Sequence, residues 1–401
     1  MYKSEEEIVV DLISDALNHY DQNNKIFLHE PDFADSNALK YTEKCIKTGW
    51  VSSAGEFVNQ FESKLESFTN AKKAVALSNG TVALRLALHL VGVKANDEVI
   101  VPPLSFVATC NAVAHLGAFP HFVDIENDTL GMDPYSLEKL LKGIGIYKNG
   151  SLINKKTGRR ISAVCPVHVF GNPSRCLELK KICDDWSLPM VEDAAEALGS
   201  FVDGIHCGLI GEIGVLSFNG NKIITSGGGG AIITNNLEIA TKAKHLSTTA
   251  KVNHPWEYFH DEIGWNDRLP NINAALGLSQ LEKIDEKLKL KKILFEKYRE
   301  GLRSSDFVKL VHCEDLILKS NNWLISLFIK KQNLDNVIGI KEKILKTSYQ
   351  KGIFLRPAWN LLSDLPMYSS NPRGPLDNAK NLVNRLINLP SSPQLVQKLE
   401  D

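Results

Sequence analysis

The strongest constraint in this sequence is a regular alternation between short β-prone runs and segments of helical periodicity, from about residue 70 to residue 235. This alternation is typical of an α/β fold in which a wound parallel sheet carries helices on its faces. Between Ser174 and Trp186, apolar residues recur with helical spacing, which predicts a crossover helix of the kind that parallel strands require. The predicted strands are KAVAL, DEVIVP, PHFVDI, SAVCPVHV, PMVED, GVLSF and GAIIT.

Two segments depart from the alternation. Residues 144–160 contain two turn dipeptides that end in glycine, between β-prone runs, which predicts a surface hairpin inserted before the next core strand. Further on, QLEKIDEKLKLKKILFEKYREGL predicts a long, amphipathic and charge-laced connector helix that leads into a second domain. We therefore expect an N-terminal segment at 1–36, a large domain at 37–250, and the connector helix with a small domain at 251–401.

Composition and charge limit which classes of partner the protein can bind and in which cellular compartment we expect it. The chain has 401 residues and a formal charge of -1, so it lacks the cationic excess that nucleic-acid binding needs. Its seven cysteines are scattered without metal-ligand spacing, which predicts reduced thiols, no metal site and a cytoplasmic location. The acidic N-terminus is not typical of a secretory signal. Residues 99–123 contain no Asp, Glu, Lys or Arg, but their prolines and polar residues predict strand, loop, helix and strand, not a membrane span.

Three motifs carry candidate chemistry, and each also has a structural interpretation. In SNGTVALRLALHL, Gly80 and Thr81 open a helix whose N–H groups suit a phosphate, although such residues are also simple helix caps. In VEDAAEALGS, Glu192 and Asp193 end an apolar strand, where open α/β sheets bind ligands; a turn acid is the alternative. In GVLSFNGNKIITSGGGGAIIT, Lys222 is a candidate imine-forming nucleophile among apolar strands, although most lysines are solvated.

The glycine run that follows this lysine has two interpretations of its own. Four successive glycines form a flexible turn in many proteins. Between two buried strands, however, they favour a backbone that passes close to another group. Taken together, a phosphate seat, an acid and a lysine at successive strand ends match the needs of pyridoxal 5′-phosphate (PLP) chemistry.

These motifs identify a resemblance. The chain resembles the sugar aminotransferases of the DegT/DnrJ/EryC1/StrS family, PLP enzymes of fold type I, the aspartate aminotransferase fold. The matching segments are TGWVSSAGEFVNQFE, SNGTVALRLAL, VIVPPLSFVATCNAVAHLGAFPHFVDI, VHVFGNP, VEDAAEALGS, SFNGNKIITSGGGGAIITN and IGWNDRLPNINAALGLSQLE. The resemblance implies a large domain with a mostly parallel seven-stranded sheet and a smaller α+β C-terminal domain. It also implies PLP as cofactor, with pyridoxamine 5′-phosphate as the intermediate form.

The resemblance assigns roles to particular residues. Lys222 resembles the Schiff-base lysine and general acid/base, and Asp193 resembles the partner of the pyridinium nitrogen. Glu196 stands where many members have Gln beside the ring hydroxyl, and a carboxylate there repels a phenolate unless one of them holds a proton. Phe106 matches the aromatic residue that covers one ring face, with core packing as its alternative. Phosphate contacts are implied for Gly80, Thr81 and Ser217, and contacts from the partner subunit of a homodimer for Asn266 and Arg268.

The implied reaction is a transamination from glutamate to a nucleotide-linked keto sugar. Related sugar dehydratases replace the lysine with histidine, so Lys222 favours the aminotransferases. GWVSSAGEFV, SFNGNK and RPAWNLL most resemble the branch that aminates the 4-keto carbon of UDP-linked 6-deoxy-N-acetylhexosamines, as in the legionaminic acid and bacillosamine pathways. A GDP- or dTDP-linked 4-keto or 3-keto sugar and a noncatalytic regulatory homologue are the alternatives. Sugar contacts are implied, beside merely structural roles, for Trp50, Ser53, Arg356 and Trp359.

Overall fold

The computed structural model describes residues 3–18, 23–330 and 334–396, and within these ranges the fold is mixed α/β. The helices are α1 (Glu5–Ala16), α2 (Ala38–Thr48), α3 (Glu56–Thr69), α4 (Gly80–Leu90), α5 (Ala108–Ala114), α6 (Pro134–Ile144), α7 (Cys176–Asp185), α8 (Leu237–Ser247), α9 (Asn271–Leu281), α10 (Ile284–Gly301), α11 (Leu334–Gln350) and α12 (Asp377–Val383). The first nine strands are β1 (Lys73–Leu77), β2 (Glu98–Val101), β3 (Phe119–Phe122), β4 (Gly145–Lys148), β5 (Ser151–Asn154), β6 (Ile161–Val164), β7 (Val191–Asp193), β8 (Phe201–Val202) and β9 (Ile205–His206). They are followed by β10 (Ile213–Ser217), β11 (Gly230–Thr234), β12 (Val308–Leu310), β13 (Leu318–Lys319), β14 (Ile325–Ile329), β15 (Arg356–Pro357) and β16 (Leu386–Leu389).

The large sheet has seven strands in the order β1-β11-β10-β7-β6-β2-β3. Its halves, β1-β11-β10-β7 and β6-β2-β3, are joined by parallel bridges from Val164 to Met190 and from Val167 to Asp193. β11 runs antiparallel to both of its neighbours, and the other six strands are parallel to one another. This topology confirms the predicted fold class, and all seven predicted strands lie in this sheet. The strand predicted from SAVCPVHV ends early, because Pro166 has no N–H group with which to continue a ladder.

Burial on both faces explains why these strands are so apolar. Every residue of β2, β6 and β11 is buried, as expected for a sheet that helices cover on both sides. α7 confirms the crossover helix and buries Leu179 and Cys183. The uncharged segment at 99–123 forms β2, α5 and β3, as predicted. None of the described helices combines the length and the apolarity that a membrane crossing requires.

The inserted hairpin is present as predicted. β4 and β5 pair antiparallel and are joined through Asn149 and Gly150, whose φ angles are 52° and 74°. Positive φ at both positions is the geometry of the tight hairpin turns that Asn-Gly favours.

The C-terminal region has its own sheet, in the order β12-β14-β16-β15. One apolar cluster joins this sheet to α10 and α11, and it also includes Val9, Val10 and Ile13 of α1. The N-terminal helix therefore packs against the C-terminal region. The division of the chain at residues 36 and 250 stays a prediction.

The predicted long connector helix is wrong in one respect. The chain forms two helices, α9 and α10, with a break at Glu282 and Lys283. Most residues of α9 are buried, whereas α10 carries the charge-laced pattern. On α10, Lys291 is fully buried although its sequence context is strongly charged.

Candidate active site

Four chain segments meet at the carboxyl edge of the large sheet. β1 ends at Leu77 just before α4, β7 ends at Asp193, and β10 ends at Ser217 shortly before Lys222. Gly230 at the start of β11 pairs with both Leu77 and Ser217, so the ends of β1 and β10 flank the same glycine. Ligands of open α/β sheets bind beyond this edge.

The first turn of α4 has the geometry that suits a phosphate. The side chain of Asn79 caps the helix by accepting from the N–H group three residues on, at 3.0 Å. The N–H groups of Gly80 and Thr81 therefore lie in the first turn, where a helix offers them no acceptor of its own. A Cβ atom on Gly80 would lie 3.0 Å from Cβ of Ser217, and one on Gly230 would lie 2.5 Å from the carbonyl carbon of Asn79. The glycine run thus permits the close approach that its sequence favours.

Asp193 is buried beside this turn, with 6% of its surface exposed. Its Oδ2 accepts from the Thr109 hydroxyl at 2.7 Å, and its Oδ1 accepts from the Ala195 N–H group at 3.3 Å. Burial raises the pKa of Asp193, and the Thr109 hydrogen bond and the charge of Lys222 oppose this rise. A buried carboxylate with few donors is suited to bind a cationic N–H group.

Glu192, the neighbouring acid, points to the other side of the strand, as period-2 alternation requires. Its carboxylate accepts from His168 Nε2 at 3.0 Å and from the N–H groups of Gly208, Ile210 and Gly211. His168, Cys176 and Glu192 form a buried group with metal-ligand atoms within 4.8 Å of one another. The Glu192 oxygens are already occupied by backbone donors, so we assign no metal to this group.

Lys222 lies between a carboxylate and an aromatic ring. Its Nζ is 3.2 Å from Oε1 of Glu196 and 4.1 Å from the ring centroid of Trp323. The other oxygen of Glu196 accepts from the Phe170 N–H group at 2.8 Å, and Phe170 has a φ of 58°. Burial raises the pKa of Glu196, and the nearby Lys222 ammonium opposes this rise. The Glu196 carboxylate thus contacts both the Lys222 amine and the backbone N–H group of Phe170.

Aromatic rings lie next to the pair formed by Lys222 and Glu196. Phe106 is 53% exposed, which fits a ring-covering face better than core packing. Its ring centroid lies 6.0 Å from that of Trp359, which in turn lies 4.9 Å from that of Phe170. Through these contacts the structure connects Phe106 and Trp359 to the surroundings of Glu196.

Other predicted site residues lie apart from this group in the single chain. Arg268 donates to Oδ1 of Asn266 and pairs through its backbone with Leu77, at the end of β1. Arg268 and Ser53 line one small cavity of about 270 Å³, and Trp50 lines a second of about 470 Å³. Arg356 is exposed on β15. Within the described residues, none of these five side chains forms a hydrogen bond or an ion pair with Lys222.

Sequence reasoning missed three contacts. Thr109 lies one helical turn after Phe106 in the same motif, so its spacing was an available signal. Phe170 contributes a backbone N–H group, which no residue type reveals. Trp323 reaches Lys222 from a distant segment, and its indole N–H group donates to the Asn221 carbonyl at 2.7 Å. Only the tertiary structure brings Trp323 to this place.

The geometry fits a phosphorylated, cationic aromatic ring. A helix N-terminus with two available N–H groups suits a phosphate. The buried Asp193 suits a protonated ring nitrogen, the exposed face of Phe106 suits a flat ring, and Lys222 supplies an amine. The residues present therefore fit PLP.

Comparison with known proteins gives the family. The profile of the DegT/DnrJ/EryC1/StrS aminotransferase family matches residues 33–400. The chain is 35% identical to GDP-perosamine synthase from Vibrio cholerae, over 92% of this chain and 94% of that protein. It is 30% identical to a UDP-4-amino-4,6-dideoxy-N-acetyl-beta-L-altrosamine transaminase from Campylobacter jejuni, over 66% of this chain and 67% of that protein.

Solved structures agree with this result. Helicobacter pylori PseC, an aminotransferase involved in the biosynthesis of pseudoaminic acid, superposes with a TM-score of 0.83. It is 26% identical, and the match covers 94% of this chain and 97% of that chain. Sequence and fold together confirm the resemblance: this chain belongs to the DegT/DnrJ/EryC1/StrS aminotransferase family.

Proposed function

We propose that this enzyme transfers an amino group from glutamate to the 4-keto carbon of a UDP-linked 6-deoxy-N-acetylhexos-4-ulose, with PLP as cofactor. The product is a 4-amino-4,6-dideoxy sugar for bacterial surface glycans. The observation that carries the proposal is the Lys222 amine, 3.2 Å from Glu196, at the same sheet edge as Asp193 and the first turn of α4.

PLP, when bound, supplies an electron sink that stabilises negative charge on the carbon next to the transferred nitrogen. In this proposal Gly80, Thr81 and Ser217 bind the phosphate. Asp193 keeps the ring nitrogen protonated, and Thr109 orients its carboxylate through the 2.7 Å hydrogen bond. Phe106 covers one ring face.

Lys222 is proposed to carry the proton between the donor carbon and the cofactor carbon in both halves of the reaction. Glu196 and Trp323 limit where its amine can lie, because one side meets the carboxylate and another meets the indole ring. Burial raises the pKa of Glu196, which lowers the cost of protonating this acid beside the ring hydroxyl, where many relatives use Gln.

We propose a homodimer whose active sites lie at the subunit interface. An unusually exposed apolar segment supports it: Trp256 is 76%, Tyr258 82% and Ile263 90% exposed. Such surfaces are typical of interfaces. The segment lies just before Asn266 and Arg268 in the chain, and we propose that these two residues reach the first turn of α4 in the partner subunit. Trp50, Ser53, Arg356 and Trp359 are proposed as sugar contacts.

A cytoplasmic location is also part of the proposal. All seven cysteines are free thiols, and six of them are buried. Unpaired cysteines are typical of proteins from reducing compartments.

A second candidate is a GDP-linked keto sugar, because identity to GDP-perosamine synthase extends over 92% of this chain. The relative that acts on a UDP-linked N-acetyl sugar matches a shorter part, 66%. The two candidates differ in the base and in the substituent at carbon 2, so one substrate panel separates them.

The test is spectroscopic. Purified protein is reconstituted with PLP, its visible absorbance is recorded before and after excess glutamate, and UDP-, GDP- and dTDP-linked 4-keto sugars are then added singly. We expect a cofactor band that glutamate removes and the UDP-linked N-acetyl sugar restores. Restoration by the GDP-linked sugar alone would select the second candidate. A protein that binds no PLP would contradict both and favour a noncatalytic role.

A further inference from the structure

A cavity of about 590 Å³ lies at the edge of the large sheet, away from the proposed catalytic group. It is bordered by α6, residues 121–124, the β4–β5 hairpin with the turn that follows it, and residues 372–375. Its lining includes none of the side chains assigned to PLP or to the sugar. The volume falls within the range of roughly 300–1,000 Å³ that small-molecule sites occupy. The inserted hairpin thus helps to build a second site of ligand size.

One buried side chain in its lining has an unusual hydrogen-bonding state. His121 of β3 is 2% exposed, and its Nδ1 lies 2.8 Å from Oε2 of Glu98. The Glu98 carboxylate also accepts from Asn154 Nδ2 at 2.8 Å and from the Thr157 hydroxyl at 2.6 Å. Burial acts to raise the pKa of Glu98, but the hydrogen bonds outweigh burial and lower it. Since an ionised carboxylate only accepts, Nδ1 of His121 donates.

The second nitrogen of the His121 ring, Nε2, is the unpaired atom of this group within the part of the chain that the structure describes. Nε2 of His121 is buried and has no hydrogen-bond partner among the described residues. In the neutral tautomer in which Nδ1 donates, Nε2 presents a lone pair. Buried acceptors without a donor are rare, because the loss of water is not compensated. A ligand with an N–H group would compensate it.

The rest of the lining favours an anion with a flat, apolar part. Lys139 and Lys156 are exposed, and neither forms an ion pair with any residue that the structure describes. Tyr135 is 70% exposed and lies beneath the Lys139 amine, 5.9 Å from its ring centroid. Asp124, the carboxylate of the lining, is occupied by three backbone N–H groups. Apolar surface comes from Val123, Leu140 and Ile144.

We propose that this cavity binds a nucleoside phosphate. The base stacks on Tyr135 and the apolar lining, and one of its N–H groups donates to His121 Nε2. The phosphates lie between Lys139 and Lys156, where charge-assisted hydrogen bonds hold them. The three requirements of the site, an anion, a flat ring and a hydrogen-bond donor, are met together by this class of molecule. Binding here is separate from nucleotide-sugar binding at the proposed catalytic site.

Hydrogen–deuterium exchange of the full-length protein tests this assignment. UDP, GDP and dTDP are titrated singly up to roughly 1 mM, and exchange is followed peptide by peptide. We expect at least one nucleotide to slow exchange at 135–157. The double variant Lys139→Glu and Lys156→Glu is expected to raise its half-saturating concentration about tenfold, because phosphate contacts are lost. Tyr135→Ala is expected to weaken binding as well.

Lys148→Glu is the matched control, since Lys148 is an exposed lysine of the same hairpin outside the lining. It is expected to leave the half-saturating concentration unchanged. Slowed exchange only at 193–230 would overturn this site and leave the proposed function intact. Slowing at 135–157 that the double variant leaves unchanged would also overturn it, because the effect would then be transmitted from elsewhere. No slowing with any of the three nucleotides would overturn it too.

Discussion

Two lysines, the partly buried Lys222 and the fully buried Lys291, contact the same tryptophan and have opposite surroundings. Nζ of Lys222 lies 4.1 Å from the ring centroid of Trp323 and 3.2 Å from a Glu196 oxygen. Nζ of Lys291 donates to the Trp323 carbonyl at 3.1 Å and to the Ser391 carbonyl at 2.5 Å. The Lys222 amine therefore contacts an ionisable acid, whereas the Lys291 amine links two backbone segments.

The difference separates a reactive group from a structural one. Lys222 keeps 11% of its side chain exposed, whereas Lys291 is fully buried. Burial and the charge of Lys287 hold the pKa of Lys291 well below its ordinary value. Burial alone thus does not identify a reactive lysine, because Lys291 is the more deeply buried of the two. Lys222 differs in having an ionisable partner, Glu196, and in keeping part of its side chain exposed.

The largest expected effect is the loss of turnover on replacing Lys222. Lys222→Ala removes the proposed proton carrier, so the rate of the glutamate half-reaction should fall by at least about 10³-fold. Stopped-flow absorbance measures this rate. Lys291→Met is the control, because it removes a buried amine that has no acceptor at the proposed site. A half-reaction in Lys222→Ala within tenfold of the unmodified rate would contradict the assignment of Lys222 as the reactive amine.

Asp193→Asn should have the second largest effect. The amide cannot hold a proton on the ring nitrogen as a carboxylate does, so the half-reaction should slow by about 10²- to 10⁴-fold. Thr109→Val should slow it less, because the carboxylate remains and only its 2.7 Å hydrogen bond is lost. The rates of the two variants, measured with saturating PLP, rank these contributions. Equal rates for Asp193→Asn and the unmodified enzyme would assign the ring nitrogen to another acid.

The sequence predicts the Lys222 region better than the Lys291 region. Strand ends, glycines and a helix cap are local signals, so they indicate Gly80, Asp193 and Lys222 without tertiary information. Lys291 lies in a run of alternating charges that suggests a solvated helix, and only packing against Ser391 buries it. Likewise Trp323, which contacts both lysines, lies 101 residues after Lys222 in the sequence. A contact between two segments that are distant in the sequence leaves no periodic pattern in either segment.

Stability should respond more strongly to Lys291 than to Lys222. Lys291→Ala leaves two carbonyls without a donor and opens a cavity, so the free energy of unfolding should drop by about 3 kcal/mol. Urea denaturation measures it, with Lys222→Ala as the control. The lowered pKa of Lys291 means that the unfolded chain binds more protons below about 10.5, so stability should rise with pH approaching that value. Lys291→Met should lack this rise. If Lys291→Ala were as stable as the unmodified protein, Lys291 would have no structural role.

The smallest expected effect concerns the acid that distinguishes the two lysines. Burial raises the pKa of Glu196 above its ordinary 4.5, so the folded protein holds an extra proton between that value and the raised one. The stability contribution of Glu196 should therefore decline as pH rises through this window. Glu196→Gln cannot ionise, and its amide oxygen still accepts from the Phe170 N–H group.

The unmodified protein should consequently lose stability relative to Glu196→Gln as the pH rises from about 4.5 toward neutral. Urea denaturation of both proteins across this range measures the difference. The Lys222 ammonium opposes the rise in pKa, so the same comparison made in a Lys222→Ala background should show a larger decline. Equal declines in the two backgrounds would mean that Lys222 and Glu196 titrate independently. Lys222 would then resemble Lys291 in lacking a proton-exchanging partner, and the distinction between the two lysines would rest on exposure alone.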